Sequence, residues 1–125
     1  MFKPSAKRVK EIERIIEEGD RVLESYLHHR LLVFPVYYRG ALKHGEMYKE
    51  IFSLNKSFLK FMPYTAYANV WGLPALTIPT GFDHNQMPIG IQIIGKVGNE
   101  DSIFKLGSLL ESHFGGYIRS TYYDA

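Results

Sequence analysis

The stretch that decides the fold is NVWGLPALTIPTGF at residues 69–82, continued by MPIGIQIIG at residues 87–95. Residues 75–78 form a short apolar run closed by a proline, which predicts a strand. Residues 89–94 carry isoleucines at alternate positions, and this period of two predicts a second strand. The polar residues 83–86 between the two runs predict a connection.

A third strand is predicted upstream, where residues 31–34 (LLVF) form a continuous apolar run stopped by Pro35. An apolar run without alternation is typical of a strand that is covered on both faces. Residues 38–45 follow with two glycines and no periodicity, which predicts a loop.

Two short helices are predicted at the start of the chain. Ser5 is a suitable N-cap for the first, because its hydroxyl can accept a bond from a free backbone N–H group. The end of this helix is predicted at Gly19, since glycine readily adopts the left-handed conformation of helix ends. Asp20 is then a suitable N-cap for the second helix, which carries apolar residues on one face.

Two further helices are predicted, one before and one after the decisive stretch. The first begins at about Glu46 and ends at Pro63. Its wide apolar stripe consists of Tyr48, Ile51, Phe52, Phe58, Leu59 and Met62. The last helix begins at Asn99 and ends at residues 115–116, where two glycines follow each other. Its predicted inward stripe consists of Ile103, Leu106, Leu110 and His113.

The alternation of helices and strands predicts an α/β fold, with helices on one or both sides of a sheet of at least three strands. The chain has 125 residues, which favours a single domain over residues 1–125. A sheet buried on both faces usually has more than three strands, so the pattern hints at a missing or borrowed part.

Composition excludes several functional classes. The net charge is +2 and the charges are evenly distributed along the chain, which argues against a nucleic-acid binder. The chain has no cysteine, which excludes disulfides and thiolate metal sites. The start of the chain lacks an apolar signal segment, and the longest apolar run is far shorter than the ~20 residues of a membrane span. A cytoplasmic protein that does not bind membranes is expected.

The residues that usually carry chemistry form no complete site in this sequence. None of the five histidines (His28, His29, His44, His84 and His113) falls in a known metal-ligand spacing, so no metal is expected. No serine lies in a G-x-S-x-G turn, and from residue 51 to residue 82 there is no acidic residue. No catalytic residue and no cofactor are therefore predicted.

The order of prolines and glycines in the decisive stretch resembles the C-terminal part of the amidase signature family. There the pattern runs N-x-x-G-x-P, an apolar strand ending in proline, a Gly-Phe turn, then l-P-x-G-x-Q-[IL]-[IL]-G and a helix ending near L-x-x-x-x-E. Here Asn69 opens this series, Gly95 closes its most specific part, and Glu111 ends the helix. The resemblance covers about residues 30–114. It implies a mixed sheet with flanking helices, as in the C-terminal portion of the family's α/β/α sandwich.

Members of that family hydrolyse amides through a Ser–cis-Ser–Lys triad, in which the nucleophilic serine forms an acyl-enzyme. The stretch that carries this triad has no counterpart in the present 125 residues, so the chain is expected to be inactive alone. In glutamine-using members an acid precedes the N-x-x-G motif. Here residues 56–68 contain no acid and Met62 stands at about that position, which favours a small apolar or aromatic amide as substrate.

The leading hypothesis is a C-terminal fragment or subunit of an amidase that supplies sheet strands and one wall of a substrate pocket. Tyr38, His44, Tyr67 and Trp71 are predicted to face that pocket. A homodimer or the missing N-terminal amidase part is the expected partner, because strand edges left open are unstable alone. The alternative is a non-catalytic dimeric binding or interaction module derived from an amidase. An independent enzyme of unknown type is the weakest interpretation.

Overall fold

The computed structural model describes residues 4–52 and 63–119 of the chain. Its elements in chain order are the helix α1 (Ala6–Tyr26), a 3₁₀ turn (Leu27–His29), the strand β1 (Leu32–Pro35), the helices α2 (Glu46–Phe52) and α3 (Pro63–Val70), the strands β2 (Ala75–Phe82) and β3 (Pro88–Ile94), and the helix α4 (Glu100–Phe114). The predicted α/β class is confirmed.

The three described strands form one sheet in the order β1-β3-β2, and both pairings are antiparallel. Phe34 of β1 and Thr77 of β2 lie opposite Gln92, which places β3 in the centre of the sheet. Ile93 and Ile94 of this central strand are completely buried. The decisive stretch of the sequence therefore forms the middle and one side of the sheet.

Helix α4 covers one face of the sheet. Ile93 and its cross-strand partner Leu76 point to the same face, because paired residues of adjacent strands share a face. Leu76 approaches Gly107 of α4 so closely that a Cβ atom there would collide with its side chain, and Ile93 would be in ordinary contact with the same atom. Ile78, Ile93 and Ile103 form the buried core between α4 and the sheet.

Helix α3 covers the opposite face. The rings of Tyr64 and Tyr67 lie 5.9 and 5.6 Å from the ring of Phe34, measured between centroids. The side chain of Gln92, which is buried, donates a hydrogen bond of 2.6 Å from Nε2 to the carbonyl oxygen of Tyr64. Helices thus lie on both faces of the sheet, and a buried amide fixes one of them to the central strand.

The start of the chain differs from the prediction, because residues 6–26 form one helix and not two. Ser5 is the N-cap as predicted, and its hydroxyl accepts a hydrogen bond from the N–H of Arg8. Gly19 lies inside α1, where a Cβ atom would be 2.5 Å from Nε1 of Trp71. The same indole nitrogen donates a 3.3 Å hydrogen bond to the carbonyl oxygen of Ile16. Gly19 therefore permits the close approach of an aromatic ring and does not end the helix.

The region around Pro63 also differs from the prediction. Pro63 is the first residue of α3 rather than the end of a helix, a position that suits its missing N–H group. The predicted helix does begin at Glu46, but residues 53–62 lie outside the described part of the chain. Within α2, Tyr48 and Phe52 of the predicted apolar stripe are not buried, since they are 70% and 75% exposed.

Three smaller corrections concern the sheet and the last helix. β2 continues beyond Pro79 to Phe82, with a register shift between Pro79 and Gly81. β1 is not covered on both faces, because Val33 is exposed. His113 is exposed rather than inward, although α4 ends as predicted at Gly115, whose φ of 87° is left-handed.

Candidate substrate pocket

A cavity of about 810 Å³ lies where the loop after β1 meets the ends of β2 and β3. The loop contributes residues 36–37 and 39–45, the strands contribute residues 77–79 and 88–90, and Met47 and Tyr117 complete the lining. Most of these residues are apolar, and the wall next to the sheet consists mainly of isoleucine, proline and glycine. Such a cavity suits an organic ligand with an apolar body.

The charged groups of the cavity are all on the loop and are basic or imidazole side chains. Arg39, Lys43 and His44 line it, and no acidic side chain of the described residues does. Arg39 forms an ion pair of 3.3 Å with Glu46, and the same carboxylate oxygen accepts a 3.2 Å bond from the backbone N–H of Lys43. The cavity therefore has a positive rim beside an apolar floor.

The turn between β2 and β3 is organised by Asp83. Its Oδ1 atom accepts hydrogen bonds from the backbone N–H groups of Asn85 at 2.8 Å and Met87 at 3.0 Å. Its own N–H group donates to the carbonyl oxygen of Met87 at 2.8 Å. This arrangement is an Asx-type turn, in which a side-chain carboxylate replaces a backbone acceptor.

The same carboxylate also contacts the cavity loop. Gly40 lies against this carboxylate, since a Cβ atom there would be 2.5 Å from Oδ2 of Asp83. The bond from Met87 is the chief cause that lowers the pKa of the Asp83 carboxyl. Desolvation, the second largest effect, opposes it, while the bond from Asn85, the charge of His84 and the nearby N–H of Gly40 lower the pKa further. The loop therefore packs closely on the β2–β3 turn at Gly40.

The four predicted pocket residues fall in two places. His44 lines the cavity. Tyr38 lies in the same loop but does not line the cavity, and its exposed ring packs on Tyr37 at 4.8 Å and under the guanidinium of Arg39. Tyr67 and Trp71 form a ring pair at 4.8 Å between α1 and the sheet, away from the cavity lining. Contact of any of the four with a substrate remains a prediction.

Sequence reasoning missed Asp83 and Lys43. The pattern of residues 83–86 indicates a polar connection, and a further signal was available, because an aspartate at the start of a turn often accepts a hydrogen bond from the backbone two residues on. Lys43 carries no signal of its own, because its position beside an apolar wall depends on how the loop docks on the sheet.

Comparison with known proteins identifies the family. A family model described as Amidase matches residues 3–104, which is most of the chain. The match includes α1, which lies upstream of the residues that carry the resemblance in the sequence. No solved structure matches the chain significantly.

Curated relatives agree with this result. The A subunit of the glutamyl-tRNA(Gln) amidotransferase of Microcystis aeruginosa is 36% identical over 97 residues, which cover 78% of this chain and 19% of that protein. The protein of the same name from Nostoc punctiforme is 35% identical over 108 residues, which cover 86% of this chain and 20% of that protein. The chain spans about a fifth of the length of these relatives. By the match over residues 3–104 and by these relatives, it belongs to the amidase family.

Proposed function

We propose that the chain is the C-terminal part of an amidase-like enzyme, which converts an amide and water into a carboxylate and ammonia or an amine. The observation that carries this proposal is the built cavity, because residues 36–45 and both of its strands lie inside the range that matches the family. The chain supplies three strands of the sheet and one wall of the substrate pocket. Its length, about a fifth of that of its relatives, supports a role as one part of a larger enzyme.

The chain is inactive alone in this proposal. Amide hydrolysis needs a nucleophile, a group that takes its proton, and donors for the developing oxyanion. The cavity lining does not contain a complete set of these groups. Its polar side chains are Tyr37, Arg39, Lys43, His44, Thr77 and Tyr117. The remaining part of the enzyme supplies the catalytic groups, and His44 faces the substrate from the loop.

The proposed substrate is a small apolar or aromatic amide. The apolar floor of the cavity, formed around Ile78 and Ile89, supports this choice, as does methionine at position 62, where glutamine-using members have an acid. The competing proposal is transfer of an amide group to glutamyl-tRNA(Gln), the reaction named for the relatives. Hydrolysis of glutamine by the native material would favour that competing proposal.

A dimeric binding module without catalysis is the second candidate, and the open edges of the sheet favour it. β1 and β2 are the outer strands of the described sheet, and Val33 on β1 is exposed. A second copy of the chain or the N-terminal part of the enzyme would cover these edges. None of the helices in the described ranges is long and apolar enough to cross a membrane. A cytoplasmic location is part of the proposal, in keeping with a chain that has no cysteine.

The experiment is an antibody capture of the native protein from source-cell extract, followed by sizing and an activity assay. We expect a species several times larger than 14.4 kDa that hydrolyses an anilide of an apolar acid, such as octanoyl-p-nitroanilide, but not glutamine. The purified 125-residue chain is the matched control and should show no hydrolysis above background. A native dimer of the 14.4 kDa chain without amidase activity would replace the enzyme proposal by the binding module.

A further inference from the structure

We propose that the cavity beside Lys43 binds apolar molecules that carry a carboxylate, so that the ligand class of this site is an apolar monocarboxylate and not only a neutral amide. This inference deepens the proposed function and rests on it. The carboxylate would be held at the rim by the Lys43 ammonium group, and the apolar body would lie on the wall formed by Ile78, Pro79 and Ile89.

Charge carries the first step of the argument. Lys43 forms no ion pair with any carboxylate in residues 4–52 and 63–119, whereas Arg39 beside it is paired with Glu46. Glu46 is also the acceptor of the Lys43 backbone N–H, so the nearest acid is engaged by other groups. An ammonium group at the edge of an apolar wall gains from an incoming carboxylate, because the charged pair forms a strong hydrogen bond.

Shape carries the second step. The loop that holds Lys43 packs closely on the β2–β3 turn at Gly40, where a Cβ atom would be 2.5 Å from Oδ2 of Asp83. Gly90 leaves the floor flat at the point where β3 passes β2, since a Cβ atom there would meet the carbonyl oxygen of Ile78 at 2.9 Å. Lys43 is exposed beside this apolar surface, so a ligand that contacts both must carry its charge next to its apolar part.

The test compares three probes of one chain length on the purified 125-residue chain by isothermal titration calorimetry: octanoate, octanamide and octylammonium. Octanoate is expected to bind roughly three to ten times more tightly than octanamide, the range for one partly exposed charged contact, and octylammonium more weakly than both. The preference for octanoate should shrink at high salt, because salt screens exposed charges.

Variants of Lys43 locate the effect. Lys43→Gln should remove the preference for octanoate over octanamide and Lys43→Arg should restore it, while Lys10→Gln on α1, which lies outside the cavity lining, should leave it unchanged. Equal binding of octanoate and octanamide, or a preference that survives Lys43→Gln, would overturn the inference. If the native enzyme hydrolyses apolar amides but the preference for octanoate is absent, the carboxylate inference is wrong while the proposed function stands. If the preference is present but the native material is not an amidase, the proposed function fails instead.

Discussion

In the central strand β3, the side chains of Ile93 and Ile94 are completely buried, whereas on α1 those of Ile15 and Val22 are 52% and 67% exposed. The strand has neighbours on both sides and helices on both faces, all from within the chain. The outer side of α1 carries equally apolar residues that the rest of the described residues leave half or more exposed. The comparison separates a core that this chain completes by itself from an apolar surface that it leaves open, which is in keeping with the proposal that the chain is part of a larger enzyme.

The largest effect is expected for a substitution in the buried strand β3. Ile93→Ala removes a side chain that contacts α4 and should lower the free energy of unfolding by about 2–5 kcal/mol, from lost burial and the cavity left behind. Urea denaturation followed by circular dichroism measures this. The matched control is Val22→Ala on α1, which should change stability by no more than about 0.5 kcal/mol. Equal losses in the two variants would show that the outer face of α1 is also packed.

A second prediction concerns the polar contact inside the core. Gln92→Leu leaves the carbonyl oxygen of Tyr64 without its buried donor, which should lower the free energy of unfolding by about 1–3 kcal/mol. Thr80→Val removes a longer bond, 3.5 Å, in an exposed position and should cost clearly less. A Gln92→Leu variant as stable as the parent chain in thermal denaturation would mean that α3 does not depend on this bond.

A third prediction tests the packing of the inner side of α1, where Gly19 contacts Trp71. Gly19→Ala should destabilise the parent chain by roughly 1 kcal/mol, because the added methyl group meets the indole ring. In the Trp71→Ala background the same substitution should stabilise by up to about 1 kcal/mol, since alanine is the better helix former. A double-mutant cycle of unfolding free energies measures the difference. Identical effects in both backgrounds would show that the ring does not press on this position.

The smallest effect is expected at the turn. The pKa of Asp83 is lowered in the folded chain, chiefly by the N–H of Met87. Its ionised form therefore contributes stability above the ordinary aspartate pKa of about 3.9, and this contribution is lost as the pH falls through the lower, folded value. Asp83→Asn should be less stable than the parent chain at pH 7 and equal to it at strongly acidic pH. A difference that stays constant over a pH series of thermal unfolding would contradict this assignment.

The elements predicted most reliably are those whose pattern is repeated locally. The alternating isoleucines of β3 and the αL glycine at position 115 mark their elements because the responsible contacts are near in sequence. Gly19 misleads the prediction, since its meaning depends on Trp71, a residue distant in sequence that no local pattern connects to it. Helix α3 is missed because it has only eight residues and begins with a proline.

The candidate site shows the same limit. His44 lines the cavity and belongs to the loop that follows a strand ending in proline, but its contact with a substrate stays a prediction. Lys43 and Asp83 are missed because their place beside the cavity depends on how the loop packs on the turn at Gly40. A close approach that only a glycine permits cannot be read from the residue pattern of either segment. Tyr67 and Trp71 are predicted to face the pocket because they are aromatic, and their ring contacts place them between α1 and the sheet.

The register shift between Pro79 and Gly81 has a consequence for the behaviour of the chain at high concentration. β2 is an outer strand of the described sheet, and long, flat outer strands invite the strands of other molecules to add to them and start aggregates. Pro79 has no N–H group to offer such a strand, and the irregularity interrupts the ladder at the same place. The edge of β2 is thus divided into two short pieces. This division protects the open edge of the chain against the addition of strands from other molecules and so against amyloid-like growth.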